Sequence, residues 1–162
     1  MKTPKKRNIE RRTDYKARLI LLKSEKPRIA VRKTNNYIIA QYIKSYEGQD
    51  KIITGVTSKE LLNYGWDKKF IGSLKSIPAA YLTGKLLGNK IIEKKGKEAI
   101  LDIGLAKNIA GSRIYAVLKG LVDAGIEIPC NEKSFPAEER LLGKHLKDDI
   151  QKMIEKIKDK LK

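Results

Sequence analysis

The sequence predicts an α/β fold in which helices cover one face of a mixed β-sheet. Three segments rich in β-branched residues are typical of a strand meander, and they span residues 28–34, 37–43 and 52–57. A fourth segment of this kind, residues 98–104, lies between two helical patterns. The order is therefore three strands, helix, strand and helix. We expect this order to place the helices on one side of the sheet and to leave the other sheet face free.

The turn pair Asn35-Asn36 sets the register of the first two strands. With these two residues as the loop, the cross-strand pairs on one face are Lys33 with Ile38, Val31 with Ala40, and Ile29 with Tyr42. This face is expected to lie in the core. The opposite face mixes guanidinium, aromatic, amide and apolar groups, and it consists of Arg28, Ala30, Arg32, Thr34, Tyr37, Ile39, Gln41 and Ile43. A face of this composition can receive RNA.

The first core helix has recognisable ends. Pro78 is tolerated in the first turn of a helix, and Ser76 is a suitable cap. A helix is therefore expected over residues 79–87, closed at Gly88-Asn89. The preceding stretch, residues 59–76, shows no regular pattern and is expected to be irregular.

The second core helix is expected to start after Ser112 and to end at Gly125. Its apolar face comprises Ile114, Val117, Leu118, Leu121 and Val122. The start of this helix is also a candidate phosphate site formed with Lys107 and Arg113, because free amide groups at a helix N-terminus attract anions. Ordinary capping by Ser112 explains the same pattern equally well.

Three regions follow from the changes in composition. Residues 1–26 form a basic arm with one apolar cluster, 19–22, which predicts a short helix that docks onto the body. Residues 27–130 form the α/β core, and residues 131–162 form a helical extension that starts near Phe135. The apolar positions of this extension recur every three or four residues, and they are Leu142, Leu146, Ile150, Met153, Ile154, Ile157 and Leu161. This stripe fits packing on its own domain somewhat better than binding to a partner.

The charge of the chain points to a polyanionic partner. Lys and Arg total 36 against 19 Asp and Glu, which gives a net charge of +17. The basic start lacks the apolar stretch of a secretory peptide, and no run approaches the roughly 20 apolar residues that span a bilayer. Membranes are therefore not expected as partners. The single cysteine, Cys130, excludes an internal disulfide and agrees with a cytoplasmic protein.

Catalytic and metal sites find little support. His145 and Cys130 have no partners that indicate a nucleophile or a metal ligand set. Gly84-Lys85 lacks the glycine spacing of a phosphate-binding loop and is better explained as helix punctuation. Asp102 on the fourth strand leaves a metal-dependent nuclease as a competing hypothesis, although such sites need several converging acids. We expect no enzyme activity, cofactor, metal or small-molecule substrate.

The expected RNA contacts combine phosphate neutralisation with groups that can stack on bases or hydrogen-bond to them. In the arm they are Lys5, Lys6, Arg7, Arg11, Arg12, Tyr15 and Arg18. On the hairpin they are Arg28, Arg32, Thr34, Asn35, Asn36, Tyr37 and Gln41. At the helix start they are Lys107, Ser112 and Arg113. Charge alone would equally suit a protein that compacts duplex DNA, and a competition experiment separates the two hypotheses.

Several strings resemble, in order and spacing, the archaeal form of large-subunit ribosomal protein eighteen, whose family binds 5S rRNA. They include residues 26–35, Tyr64-Gly-Trp66, residues 78–84, residues 101–104, Gly111-Ser-Arg113, residues 125–129 and Asn131-Glu132. The resemblance implies an α/β core, a basic arm, and 5S rRNA held by the arm and the exposed sheet. It also implies contacts with 23S rRNA and with neighbouring ribosomal proteins in the central protuberance. Residues 131–146 resemble an extension that bacterial members lack.

Overall fold

The computed structural model describes residues 9–10, 13–146 and 148–161. Four strands form one sheet, and they are β1 (Arg28–Lys33), β2 (Ile38–Tyr46), β3 (Gln49–Thr57) and β4 (Ile100–Asp102). Their order across the sheet is β3-β2-β1-β4. The meander β1 to β3 is antiparallel, whereas β4 pairs with β1 in parallel. The predicted α/β fold with a mixed sheet is confirmed.

The hairpin register is also as predicted. Lys33 pairs with Ile38, Val31 with Ala40, and Ile29 with Tyr42. The backbone N–H of Thr34 donates to the carbonyl of Tyr37 at 2.9 Å, which closes the turn around the two asparagines. Side chains alternate between the two faces of a strand, so this register sends one apolar set into the core. The buried members of that set are Ile29, Val31, Ile38, Ala40 and Tyr42.

Helix α1 (Tyr15–Lys23) precedes β1, and α2 (Ile77–Glu93) lies between β3 and β4. Helix α3 (Arg113–Asp123) follows β4. Helices α2 and α3 pack together on the apolar face of the sheet, where their residues share one core with β1 and β2. The start of α2 is as expected, since the Ser76 hydroxyl accepts a hydrogen bond from the N–H of Ala79 and Pro78 lies in the first turn.

The predicted end of α2 at Gly88-Asn89 is wrong, because the helix continues to Glu93. The glycines serve close packing instead of termination. A Cβ on Gly84 would lie 2.1 Å from the carbonyl oxygen of Val117, and one on Gly88 would lie 2.4 Å from the Cβ of Ala124. A Cβ on Gly120 of α3 would meet the carbonyl oxygen of Tyr81 at 2.2 Å. The interpretation of Gly84 as punctuation is therefore corrected.

The stretch between β3 and α2 is more regular than expected. It contains two 3₁₀ helices, Ser58–Tyr64 and Lys68–Ser73. Trp66 lies buried between them, and its indole N–H donates to the carbonyl of Phe70 at 3.1 Å. The C-terminal region packs on the first of these short helices and on α2.

Among its described residues, the C-terminal extension contains a short 3₁₀ helix, Glu132–Ser134, and two α-helices, α4 (Glu138–Leu141) and α5 (Asp148–Lys160). The two α-helices are separated by Gly143, which has a φ of +72°. The apolar stripe of α5 buries Met153, Ile154 and Ile157. The Sδ atom of Met153 accepts from the N–H of Asp67 at 3.2 Å. The stripe therefore packs on its own domain, which was the favoured of the two interpretations.

Helix α1 is held loosely by comparison. Its N-cap is Asp14, whose carboxylate accepts from the backbone N–H groups of Lys16 and Ala17. No residue of α1 is buried, and Leu19 and Ile20 are 54% and 63% exposed. The expected docking of the apolar cluster is therefore only partial. Over the described part of the chain, every helix is too short or too polar to cross a membrane.

Candidate nucleic-acid interface

The sheet face opposite α2 and α3 carries a chain of ion pairs, which we call the charge network. Asp50 on β3 binds Arg18 of α1 at 2.8 Å and Arg28 of β1 at 2.5 Å. Asp102 on β4 lies 3.0 Å from Arg32 and 4.0 Å from the Nε atom of Arg28. Three arginines and two aspartates from α1 and from three strands thus meet across this face.

Arg28 does not lie as the sequence suggested. Its side chain is only 6% exposed, and its guanidinium points to Asp50. Neighbouring Ala30 and Ile43 are also buried. The expectation of a free sheet face is therefore wrong for the part around Arg28. There, ion pairs with Asp50 and Asp102 hold the guanidinium groups against the sheet. Arg28 now fits a structural role better than a direct contact with RNA.

Arg32 keeps an open side. Its guanidinium donates to the carbonyl of Asp102 at 2.8 Å and to the carboxylate of the same residue at 3.0 Å, but the side chain remains 44% exposed. The N–H of Gly104 donates to the same carboxylate at 2.8 Å. Gly104 has a φ of +61°, and a Cβ there would lie 2.8 Å from the Cζ atom of Arg32. The glycine thus makes room for this arginine.

Burial of Asp50 by itself would raise the pKa of its carboxyl group. The hydroxyl of Ser45, which donates at 2.7 Å, and the guanidinium groups of Arg18 and Arg28 outweigh burial. They hold the pKa of Asp50 below its ordinary value, because each of these groups stabilises the charged form. Asp50 is therefore a charged anchor of the network at neutral pH.

The turn of the hairpin is the most open part of the predicted hairpin contacts. Asn35 and Asn36 are exposed, and so is Thr34. The Thr34 hydroxyl donates to the carbonyl of Tyr37 and accepts from its N–H, both at 2.8 Å. Tyr37 is half-buried and packs against the core, and Gln41 is also half-buried. The turn thus presents two amide side chains, while Tyr37 offers only part of its ring.

The start of α3 lies beside the charge network. Lys107 in the preceding loop is exposed, and Arg113 is half-buried. Ser112 takes the N-cap position, but its side chain makes no capping bond. Its Oγ atom and the Nε atom of Arg28 are buried atoms without a hydrogen-bond partner among the described residues. The ordinary capping interpretation of Ser112 is therefore not what the structure shows.

A groove of about 1080 Å³ joins these regions, bounded by α1, the end of β1, the loop after β4 and the start of α3. Among the described residues, its cationic lining consists of Arg18, Arg28, Arg32, Lys33, Lys107 and Arg113. Two acids, Asp14 and Asp102, also line it. Its apolar lining includes Leu101, Ile103 and Ile114. The hairpin arginines and the helix start, which the sequence suggested as separate sites, thus border one groove.

The remaining arm residues cannot be placed in the same way. Tyr15 is half-buried at the start of α1, near the groove residue Thr13. Five predicted contacts lie outside the described residues, and they are Lys5, Lys6, Arg7, Arg11 and Arg12. They stay predictions.

Asp50 is the functional candidate that sequence reasoning missed. It lies at the start of β3 in a segment that reads as a polar turn. The sequence contains Asp50 and Asp102 near strands that are otherwise rich in arginine, which is a signal for ion pairs. The β2–β3 register is nevertheless needed to place Asp50 near Arg28. Within the described part of the chain, no three His, Cys, Asp or Glu side chains are grouped closely enough to hold a metal ion.

Comparison with known proteins decides the family. The sequence model of "Ribosomal large subunit proteins 60S L5, and 50S L18" matches residues 1–99 and 93–131. The chain belongs to this family. The large ribosomal subunit protein uL18 of Korarchaeum cryptofilum is 46% identical over 151 residues, which cover 93% of this chain and 75% of that protein. The uL18 protein of Methanothrix thermoacetophila is 42% identical over 164 residues, covering 99% and 95% of the two chains.

A third relative is the uL18 protein of Methanoculleus marisnigri, 46% identical over 143 residues, which cover 88% of this chain and 79% of that protein. These three relatives are archaeal, and the resemblance found in the sequence is confirmed. The uL18 family consists of structural ribosomal proteins and not of enzymes. The protein is therefore a cytoplasmic component of the large ribosomal subunit, and the nuclease hypothesis for Asp102 is dropped.

Proposed function

We propose that the protein binds 5S rRNA and helps to attach it to 23S rRNA in the central protuberance of the large subunit. The observation that carries this proposal is the groove, where cations of α1, β1 and the start of α3 face one space in a member of the uL18 family. Folded RNA is a strong polyanion, and a site with several fixed cations neutralises several of its phosphates at once.

We assign the recognition of RNA bases and 2′-hydroxyls, as distinct from phosphate charge, to the open hairpin turn and to the lining of the groove. The exposed amides of Asn35 and Asn36 can donate to and accept from base edges or 2′-hydroxyls. The apolar residues of the groove, such as Leu101 and Ile103, suit the flat face of an unpaired base. Within this proposal, residues 1–26 are the arm, residues 27–130 the RNA-binding core and residues 131–162 an extension that packs on the core.

The proposal is tested by binding the purified protein to 5S rRNA, to an unrelated folded RNA of equal length and to duplex DNA. We expect 5S rRNA to bind most tightly at near-physiological salt. The logarithm of the affinity should fall by roughly 0.7 to 0.9 per neutralised phosphate for each tenfold rise in salt. Equal affinity for the unrelated RNA would remove the claim of specificity, and preference for duplex DNA would favour the DNA-compacting hypothesis.

Contact with 23S rRNA is tested separately. Adding a 23S rRNA fragment from the central protuberance to a preformed complex with 5S rRNA should yield a ternary complex in a gel-shift experiment. A fragment that only displaces 5S rRNA would show that the two RNAs compete for one surface, which contradicts the bridging role.

A further inference from the structure

Asp50 on β3 forms an ion pair that joins Arg18 of α1 to the sheet. Its Oδ2 atom binds the guanidinium groups of both Arg18 and Arg28, and its Oδ1 atom accepts from the Ser45 hydroxyl at 2.7 Å. The side chain is 27% exposed. Both oxygens are thus engaged by three donors from three different elements, which fixes the carboxylate in one position.

Helix α1 depends on polar contacts for its position, because its residues contribute little to the core. None of them is buried, and the segment between α1 and β1 includes Glu25 with a φ of +55°. A left-handed backbone at a non-glycine residue allows the chain to change direction here but contributes no packing. The bridge from Arg18 to Asp50 spans from α1 to β3, an edge strand of the sheet.

We propose that Asp50 is a positioning residue for RNA binding, whose carboxylate fixes α1 against the sheet so that the cations of α1 and of the groove face one RNA. This inference rests on the proposed function. In this proposal, Asp50 does not contact RNA itself but acts through Arg18. A negative charge beside an anion site is unfavourable by itself, so its presence here needs a compensating role.

Two accounts of Asp50 predict opposite signs. If only charge mattered, removing this carboxylate would free two arginines and strengthen RNA binding. If Asp50 positions α1, removing it releases the helix, and the arm loses the entropic advantage of being held in place. The sign of the change in affinity therefore separates the two accounts.

The experiment measures 5S rRNA affinity against salt for the full chain and for Asp50→Asn, with Glu47→Gln as the matched control. Glu47 is exposed in the same hairpin and loses the same charge. We expect Asp50→Asn to weaken binding about fivefold and to lower the salt slope by roughly one phosphate equivalent. Glu47→Gln should bind equally well or at most about twofold tighter, with an unchanged slope. A loss of fold stability alone would not change the salt slope of the folded protein.

Two more variants complete the design. Asp50→Asn in an Arg18→Met background should weaken binding no further, because the link to α1 is already broken. Ser45→Ala removes a hydroxyl that holds the carboxylate without changing the charge, and we expect about twofold weaker binding from the less ordered anchor. If Asp50→Asn does not fold, the affinity of Ser45→Ala for 5S rRNA tests the positioning role of Asp50 instead.

The outcomes are distinct. If the unchanged protein fails to prefer 5S rRNA, the proposed function is wrong. If it does prefer 5S rRNA and a folded Asp50→Asn binds as tightly as Glu47→Gln or more tightly, the positioning role of Asp50 is overturned. Should Asp50→Asn not fold, unchanged affinity of Ser45→Ala overturns it instead.

Discussion

The two faces of the sheet are stabilised by different kinds of interaction, although the same strands build both. On one face, Ile29 and Val31 pack under helices that approach closely enough to require glycine. On the other face, the alternating residues Arg28 and Arg32 lie among carboxylates, where Arg28 is buried and Arg32 stays 44% exposed. Fold stability therefore resides mainly in the helix-covered face, whereas the charged face is open to a partner only at its exposed part around Arg32.

The largest expected effect is on the helix-covered face. Gly84→Ala places a Cβ where the carbonyl oxygen of Val117 lies, and backbone cannot move aside cheaply. We expect a loss of about 3 kcal/mol in the free energy of unfolding. Gly72→Ala is the matched control, since a Cβ there meets nothing within 4 Å. Urea unfolding measures both, and equal stabilities would contradict the close-packing account of α2 and α3.

The next largest effect concerns Arg28. Arg28→Met removes the buried guanidinium that pairs with Asp50 and lies near the buried Asp102, so we expect the free energy of unfolding to fall by about 2 kcal/mol. Arg32→Met removes an arginine that is 44% exposed, and should cost less than about 1 kcal/mol. Among folded variants, we expect Arg32→Met to weaken 5S rRNA binding more than Arg28→Met does. Thermal unfolding and RNA titration of both variants check this, and a larger stability loss for Arg32→Met would contradict the assigned roles.

A smaller effect concerns pH. The pKa of Asp50 is lower in the folded protein than in the unfolded chain, so the folded state binds the proton less readily. The stabilisation from this carboxylate is complete above the unfolded pKa of about 4 and is lost as pH falls through the folded pKa. The difference in stability between the unchanged protein and Asp50→Asn should therefore be constant from pH 7 to pH 5 and shrink below about pH 4. A difference that vanishes already near pH 6 would contradict the anchoring of this group.

The smallest expected effect on stability is at the hairpin turn. Asn36→Ala changes an exposed side chain that forms no hydrogen bond with the described residues, and we expect less than about 0.5 kcal/mol of change in the free energy of unfolding. Affinity for 5S rRNA should nonetheless fall several-fold if the turn touches RNA. A variant that binds normally would remove Asn36 from the interface and leave the groove as the main contact.

Much of the fold was predictable because local signals agreed with one another. Asn35-Asn36 and the alternation of Ile29 and Val31 fix the hairpin register, and Ser76 with Pro78 marks the start of α2. The end of α2 was not predictable from local signals, since Gly88 is needed for contact with Ala124 of a distant segment. A glycine required by tertiary packing cannot be told from a helix stop by its neighbours in sequence.

The positive charge of the interface was predictable from the sequence, but the ion pairs that its arginines form were not. Sequence reasoning placed Arg28 and Arg32 on one face, which is correct, but it treated them as equivalent. Their difference arises from Asp50 and Asp102, which the β2–β3 and β1–β4 pairings bring to the arginines. The convergence of Lys107 and Arg113 with the hairpin likewise depends on the parallel pairing of β4 with β1.

The central claim is that the groove and the hairpin turn, and not the C-terminal helix, face 5S rRNA. Photo-cross-linking from single cysteines tests it most directly, with Cys130→Ser as the background because Cys130 is exposed. Reagents attached at Asn35→Cys and at Lys107→Cys should cross-link to 5S rRNA, whereas one at Glu155→Cys on the exposed side of α5 should not. Cross-links from α5 alone would contradict the account.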